Sequence, residues 1–202
     1  MIKVTFLKGE HYCMKGFGNI VATWMIIILF LILLFFLYNK LQDNRYIYLG
    51  EDASIPAELH PIVEENKNIL VEMAEERNID IVITDETRSI ERQDQLYEQG
   101  RSRNGNIVTN ARGGESYHNY GLAIDYALKN DAGEIIWDIH YDGNGNGESD
   151  WFEVAEIAKD LGFEWGGDWG SFKDYPHLQM TFDLSIHQLQ KGFRPPENIP
   201  SS

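Results

Sequence analysis

Two short segments of the chain carry residue types that bind metal ions. The first contains His118 and Asp125, seven positions apart in a glycine-rich stretch. The second contains Asp174 and His177, three positions apart. Two imidazoles and one carboxylate form a three-ligand zinc site whose fourth position stays open, as hydrolytic zinc requires. The two segments therefore predict a zinc site, in a chain that hydrolyses an amide bond.

The fourth group of this set has the chemistry of a general base. A carboxylate close to the metal but not bound to it accepts a proton from the attacking water and passes it to the departing amine. Spacing alone leaves open whether Asp125 or Asp174 is the ligand. Ser116 is a candidate for hydrogen bonding to a ligand or substrate, with a loop-stabilising hydroxyl as the alternative. Trp165 and Trp169 either border the cleft or pack in the core.

A second metal-binding pattern lies between residues 142 and 153. Its oxygen-bearing side chains follow the spacing of a calcium loop, D-x-N-x-N-G-x5-E, at Asp142, Asn144, Asn146, Asp150 and Glu153. The alternative is a glycine-rich turn in which Asn and Asp serve only backbone geometry. The pattern favours a calcium loop that a strand enters and a helix leaves.

Four segments together resemble a known family: TRSIERQDQLYEQGR, ARGGESYHNYGLAIDYAL, DGNGNGESDW and LGFEWGGDWGSFKDYPHLQM. They are similar to the zinc peptidases that include D-alanyl-D-alanine carboxypeptidases and phage endolysins, and most closely to bacterial L-alanyl-D-glutamate peptidases. The resemblance runs from about Pro56 to Met180. It implies a peptidoglycan hydrolase that cuts between L-Ala and D-Glu of the stem peptide.

The resemblance also implies roles for single residues. His118, Asp125 and His177 would bind zinc, Asp174 would be the base, and Arg88 would contact the substrate or the developing oxyanion. A structural salt bridge is the alternative for Arg88. Related enzymes often carry Glu at the base position, and some carry Glu where this chain has Gln179, which we take as peripheral.

Two other functions use the same residues. A D-alanyl-D-alanine carboxypeptidase would need the same metal site and a pocket for a terminal carboxylate, with Arg88 as a candidate. A zinc-bearing cell-wall binding module without catalysis would not need a base, which Asp174 argues against.

An uninterrupted apolar run, Ile20 to Tyr38, precedes all of these motifs. Its length matches the hydrocarbon thickness of a bilayer and exceeds the apolar region of a signal peptide. We expect a retained signal anchor, with a cleaved signal peptide as the alternative. Positive charges before the run predict a cytoplasmic N-terminus and a catalytic domain on the cell-wall side of a bacterial membrane. Met14 is an alternative start to Met1.

Composition limits the partners. The net charge of −15 argues against nucleic acid as a partner. The one cysteine, Cys13, precedes the apolar run, so the exported part has no disulfide. Peptidoglycan and, through the apolar helix, the membrane are the expected partners.

Periodicity predicts an α+β fold, a small antiparallel sheet with flanking helices after one transmembrane helix. The resemblance implies that this fold is of the hedgehog and D-Ala-D-Ala peptidase type. Helices are expected from Pro56, from Ser89 and from Trp151, and strands at 79–84, 107–109, 122–129, 134–139 and 177–182. The expected organisation is a cytoplasmic segment 1–19, an anchor 20–38, a linker 39–55, a zinc peptidase domain 56–183 and an irregular tail 184–202.

Overall fold

The computed structural model describes residues 13–43, 46–170 and 172–197. The chain divides into two compact units, one up to Tyr46 and one from Ile47 onward. The first contains a single helix, α1 (Cys13–Asp43). Its Val21–Tyr38 stretch is long and apolar enough to cross a membrane, by length and composition. The helix thus begins inside the predicted segment 1–19 and ends inside the predicted linker; residues 1–12 lie outside the described part.

The second unit is an α+β domain, as the sequence predicts. Its helices are α2 (Pro61–Glu76), α3 (Ile90–Glu98), α4 (Asp150–Asp160) and α5 (Ile186–Gln190), with two 3-10 helices at Tyr117–Tyr120 and Gly166–Asp168. Its strands are β1 (Ile47–Tyr48), β2 (Asp80–Asp85), β3 (Ala123–Lys129), β4 (Ile135–Ile136), β5 (Glu164–Trp165), β6 (His177–Gln179) and β7 (Phe193–Arg194).

The main sheet is antiparallel, with strand order β2-β3-β6-β5 and with β4 paired to β3. Strand β3 is central, and its Tyr126, Ala127 and Leu128 are completely buried. Helix α2 packs on β2 and on α4, which also contacts β5. The buried residues of α2, Val63, Leu70 and Ala74, lie on one face of the helix, the expected pattern for a helix that covers a sheet. This packing fixes the strands that carry the site.

Several predicted boundaries are wrong. Helix α2 begins at Pro61 and not at Pro56, because Pro is favoured in the first turn and disfavours helical backbone in the residue before it. Residues 107–109 form no strand, and 134–139 contributes only Ile135–Ile136. The strand expected at 177–182 ends at Gln179, and Phe182 and Asp183 have φ values of 50° and 59°, which a strand does not allow.

The predicted irregular tail is also wrong for the described residues 184–197. Ser185 caps α5 by accepting a hydrogen bond from Gln188 N. Strand β7 then pairs with β1, with Ile47 opposite Arg194 and Tyr48 opposite Phe193. The predicted linker and tail therefore contribute to one two-stranded sheet of the domain.

Candidate metal centre

Three elements bring His118, Asp125 and His177 together. His118 lies in the 3-10 helix that immediately precedes β3, while Asp125 on β3 is the register partner of His177 on β6. The turn between His118 and β3 is made by Gly121, which has φ 66°. A Cβ at this position would collide with the carbonyl oxygen of Glu58, so the close approach requires glycine.

The three candidate ligand atoms form a nearly equilateral triangle. His118 Nε2, Asp125 Oδ1 and His177 Nδ1 are each 3.2 Å from the other two. Ligand atoms bound to zinc at about 2.0–2.1 Å in a tetrahedron are about 3.3–3.4 Å apart. Both imidazoles are buried. The donor types and the spacing therefore fit zinc with one position left open.

Each imidazole is held through its other ring nitrogen. His118 Nδ1 lies 2.6 Å from the backbone oxygen of Glu86, which can only accept a hydrogen bond. Nδ1 is therefore the protonated nitrogen, and the lone pair of Nε2 points into the triangle. His177 Nε2 lies 3.0 Å from Gln179 Oε1, which leaves Nδ1 for the triangle.

The environment of Asp125 keeps its carboxylate ionised. Burial alone would raise the pKa of Asp125, but its close contacts with the His118 and His177 imidazoles and the charge of Arg88 outweigh burial. The pKa of Asp125 therefore lies well below its usual value. An ionised oxygen is the form that binds a metal ion.

Arg88 lines the cleft and contacts Asp125. Its Nη2 donates to Asp125 Oδ2, its Nε donates to Asp85 Oδ2 at 2.8 Å, and its Nη1 donates to Gln93 Oε1 at 3.3 Å. The guanidinium thus holds one oxygen of Asp125 and leaves the other for the triangle. This is the geometry of the salt-bridge alternative, directed at a metal ligand.

Asp174 lies in the same cleft, which has a volume of ≈ 570 Å³ and is also lined by Arg88, His118, Asp125 and His177. The chain is held here by backbone hydrogen bonds from Asp174 N to Gly166 O (3.1 Å) and from His177 N to Asp174 O (3.2 Å). Burial raises the pKa of Asp174, and the charge of His177 opposes that effect. A carboxylate of raised pKa beside a metal site suits proton transfer.

Ser116 caps the 3-10 helix that carries His118. Its Oγ accepts a hydrogen bond from His118 N at 3.4 Å, and the residue also lines the cleft. This geometry matches the loop-stabilising alternative. Trp165 is buried and donates from Nε1 to Tyr175 O, whereas Trp169 lines the cleft with its ring centroid 5.2 Å from that of His177.

The predicted calcium loop lies between β4 and α4. Strand β4 ends at Ile136, before the loop, and α4 begins within it at Asp150. Asp142 Oδ1 and Oδ2 accept from Asn146 N and Gly147 N, and Asn144 Nδ2 donates to Glu153 Oε2 at 3.0 Å. Hydrogen bonds of this kind are what the glycine-rich-turn alternative requires. Asp150 is 2% exposed, however, and its Oδ1 is a buried oxygen without a hydrogen-bond partner.

Two residues to which the sequence assigned no role in the site contact its members. Gln179, taken as peripheral, contacts His177, and Asp85 holds Arg88. Period-two alternation from His177 along β6 places Gln179 on the same face, and this signal was available in the sequence. The contact of Asp85 depends on the register of β2 and β3, which the sequence does not reveal.

Comparisons with known proteins identify relatives of the chain. A family model described as D-alanyl-D-alanine carboxypeptidase, of peptidase family M15, matches residues 109–180. The peptidoglycan L-alanyl-D-glutamate endopeptidase CwlK of Bacillus subtilis (strain 168) is 60% identical over 153 residues, which cover 76% of this chain and 91% of CwlK. An L-alanyl-D-glutamate peptidase of Listeria phage A118 is 30% identical over 56% of this chain and 34% of its own length.

Two solved structures are also similar. The Serratia marcescens L-Ala D-Glu endopeptidase ChiX has a TM-score of 0.44 and 25% identity, over 61% of this chain and 81% of that chain. DacB from Streptococcus pneumoniae D39 has a TM-score of 0.47 and 19% identity, over 71% and 76% of the two chains. Because the identity to CwlK is high over nearly all of that protein, the chain belongs to peptidase family M15, together with the D-alanyl-D-alanine carboxypeptidases and the L-alanyl-D-glutamate endopeptidases.

Proposed function

We propose that this peptidase is a zinc-dependent cell-wall hydrolase that cleaves the L-Ala–D-Glu bond of the peptidoglycan stem peptide. The observation that carries the proposal is the triangle of His118, Asp125 and His177, with Asp174 in the same cleft. The bond is inferred from two relatives, CwlK and the phage protein, whose names specify L-alanyl-D-glutamate.

The three triangle residues would hold the zinc. Zinc in such a site supplies a Lewis acid that polarises a carbonyl and makes water a stronger acid. Asp174 accepts the proton of the attacking water and returns it to the leaving amino group of D-Glu. Arg88 keeps Asp125 oriented, and its charge adds positive potential where the oxyanion develops.

The charges of the cleft favour the endopeptidase over the carboxypeptidase. Capture of a terminal carboxylate calls for a free cation, preferably the planar fork of an arginine. Among the cleft residues in the described part of the chain, Arg88 is the only Lys or Arg. Each of its three guanidinium nitrogens already donates a hydrogen bond, to Asp85, Asp125 or Gln93. A substrate whose chain continues beyond the cleaved bond does not need such a cation.

The two activities are separated by their products. The full-length chain in detergent is incubated with intact sacculi and, separately, with free stem pentapeptide. We expect fragments with a new N-terminal Glu and no release of D-Ala from the pentapeptide. D-Ala as the only product would establish the carboxypeptidase. Absence of any product from a zinc-loaded protein would favour the non-catalytic binding module.

We also infer that the loop from Asp142 to Glu153 binds calcium and stiffens the connection into α4. Support comes from the buried, unpartnered Asp150 Oδ1 and from a raised pKa of Asp150, caused by burial and by the charges of Glu153 and Asp142. A divalent cation would bind the unpartnered oxygen and offset the repulsion between the neighbouring carboxylates. Calcium should raise the Tm of the wild-type chain and leave that of Asp150→Asn unchanged; equal Tm values with calcium and with chelator would support the turn alternative.

The localisation that we propose is a single-pass anchor at Val21–Tyr38, with the peptidase domain on the cell-wall side. The length and composition of the helix support it, as does the need of a cell-wall hydrolase to reach its substrate.

A further inference from the structure

A carboxylate determines the orientation of the Gln179 side-chain amide. Gln179 Nε2 donates to Glu164 Oε2 at 2.9 Å, and Gln179 is only 7% exposed. An ionised carboxylate only accepts hydrogen bonds, so the NH2 group of Gln179 must face Glu164. The amide oxygen Oε1 therefore points the other way, to His177 Nε2 at 3.0 Å.

This orientation determines the tautomer of His177. Because Gln179 Oε1 only accepts, His177 Nε2 must carry the proton, and the lone pair is on Nδ1. Nδ1 is the atom that lies 3.2 Å from both His118 Nε2 and Asp125 Oδ1. We propose that Gln179, oriented by Glu164, is a positioning residue that keeps His177 ready to bind zinc through Nδ1. The inference rests on the proposed zinc site and goes beyond it.

Strand pairing holds the hydrogen-bonded chain of Glu164, Gln179 and His177 in place. Glu164 on β5 is the cross-strand partner of Gln179 on β6, so the carboxylate and the amide are adjacent by strand pairing. Thr181 donates to Glu164 Oε1 at 2.7 Å and restrains the carboxylate from its other side. His118 is not held by a side chain in this way, because its Nδ1 bonds to the backbone oxygen of Glu86. A side-chain substitution can therefore remove the hydrogen-bond acceptor of His177 Nε2, whereas the acceptor of His118 Nδ1 belongs to the backbone.

Loss of the amide should weaken zinc binding. Removal of an outer hydrogen-bond partner of a zinc-bound histidine typically lowers metal affinity about 10–100-fold. We expect a loss in this range for Gln179→Leu, measured on the full-length chain by competition with a chromogenic chelator. Gln95→Leu makes the same change at an exposed glutamine of α3 and should bind zinc as the wild type does.

An exchange of the two side chains controls for misfolding. In the double variant Gln179→Glu with Glu164→Gln, the new amide donates to the new carboxylate, which still accepts from His177 Nε2. Zinc affinity should return to about the wild-type value. Gln179→Glu alone places two carboxylates against each other and should not match the double variant.

The tautomer is measured directly on the metal-free chain by nitrogen NMR of labelled histidine. We expect His177 protonated at Nε2 in the wild type and in the double variant, and a mixture of tautomers in Gln179→Leu. An unchanged tautomer, or unchanged zinc affinity, in Gln179→Leu would overturn the inference. Failure of the wild type to bind zinc would instead contradict the proposed function, and the tautomer measurement does not depend on that outcome.

Discussion

Asp125 and Asp174 have the same functional group but different surroundings. Asp125 lies between two imidazoles and a guanidinium, which lower its pKa, whereas burial raises the pKa of Asp174. Spacing in the sequence left the two roles open because it does not reveal which carboxylate points between the histidines. The pairing of β3 with β6 places Asp125 opposite His177 and so brings that carboxylate into the triangle.

Replacing the proposed base should separate catalysis from zinc binding. Asp174→Asn keeps the shape of the side chain but cannot accept the proton, so we expect kcat to fall about 10²–10⁴-fold. Zinc content, measured by mass spectrometry of the metal, should not change. Asp168→Asn, on the surface nearby, is the matched control. Hydrolysis within twofold of wild type by Asp174→Asn would remove Asp174 from the mechanism.

Replacing Arg88 by lysine should weaken the metal site although the charge is retained. Lysine is a point charge and cannot reach Asp85, Asp125 and Gln93 at once as the guanidinium does. We expect zinc affinity to fall about 10–100-fold, the usual effect of losing a partner of a metal ligand. Arg92→Lys, exposed on α3, is the control. Full zinc affinity with reduced kcat would indicate that Arg88 acts on the substrate alone.

At the scale of elements, the sequence predicted those helices and strands whose ends are marked by neighbouring residues. Strand β3 and helix α4 were predicted to within one residue, because the turn sequence at 130–133 marks the end of the strand and Gly162 marks the end of the helix. The pairing of β1 with β7 was not predicted. It joins two-residue strands near opposite ends of the domain, and two residues carry no periodicity.

Glycine substitutions test whether the C-terminal segment belongs to the domain. Gly192 has φ 90°, and a Cβ there would collide with the backbone of Gly50 beside β1. Gly133 has φ 78° and open space around it. Gly133→Ala should cost about 1–2 kcal/mol, the penalty of left-handed backbone alone. Gly192→Ala should cost distinctly more, measured by urea unfolding; equal losses would indicate that the β1–β7 contact does not stabilise the domain.

The cap of helix α2 introduces a dependence of stability on pH. His60 Nδ1 accepts a hydrogen bond from Ile62 N, and burial lowers the pKa of His60 below its usual value of about 6.5. The folded chain therefore binds this proton less readily than the unfolded chain does. The stabilisation is complete above about pH 6.5 and is lost as the pH falls below that value.

A variant at His60 isolates this contribution. Asn is a good N-cap and does not titrate, so His60→Asn should lose less unfolding free energy than wild type between pH 7.5 and pH 5.5. Urea unfolding at the two pH values measures the difference. A larger loss in His60→Asn than in wild type would contradict the assigned direction of the pKa shift.

At the scale of the whole molecule, an apolar helix precedes an acidic peptidase domain. The length and uniform apolar character of Ile20–Tyr38 were sufficient to predict the helix. Composition does not decide whether it is retained, since a signal peptide is also apolar.

Fractionation of cells decides between the two fates of the helix. If the anchor is retained, the full-length chain should stay with membranes after extraction at high salt and high pH, because about 20 apolar residues in hydrocarbon do not depend on charge. A shortened chain in the medium would show that the helix is a cleaved signal peptide.

One experiment measures both the bond that is cleaved and the dependence of that cleavage on zinc. Full-length protein in detergent is incubated with peptidoglycan after chelation and again after zinc is restored, and the new amino termini are identified by mass spectrometry. We expect an N-terminal Glu that disappears on chelation and returns with zinc. The same amino termini in the metal-free protein, or a different terminus with zinc, would contradict it.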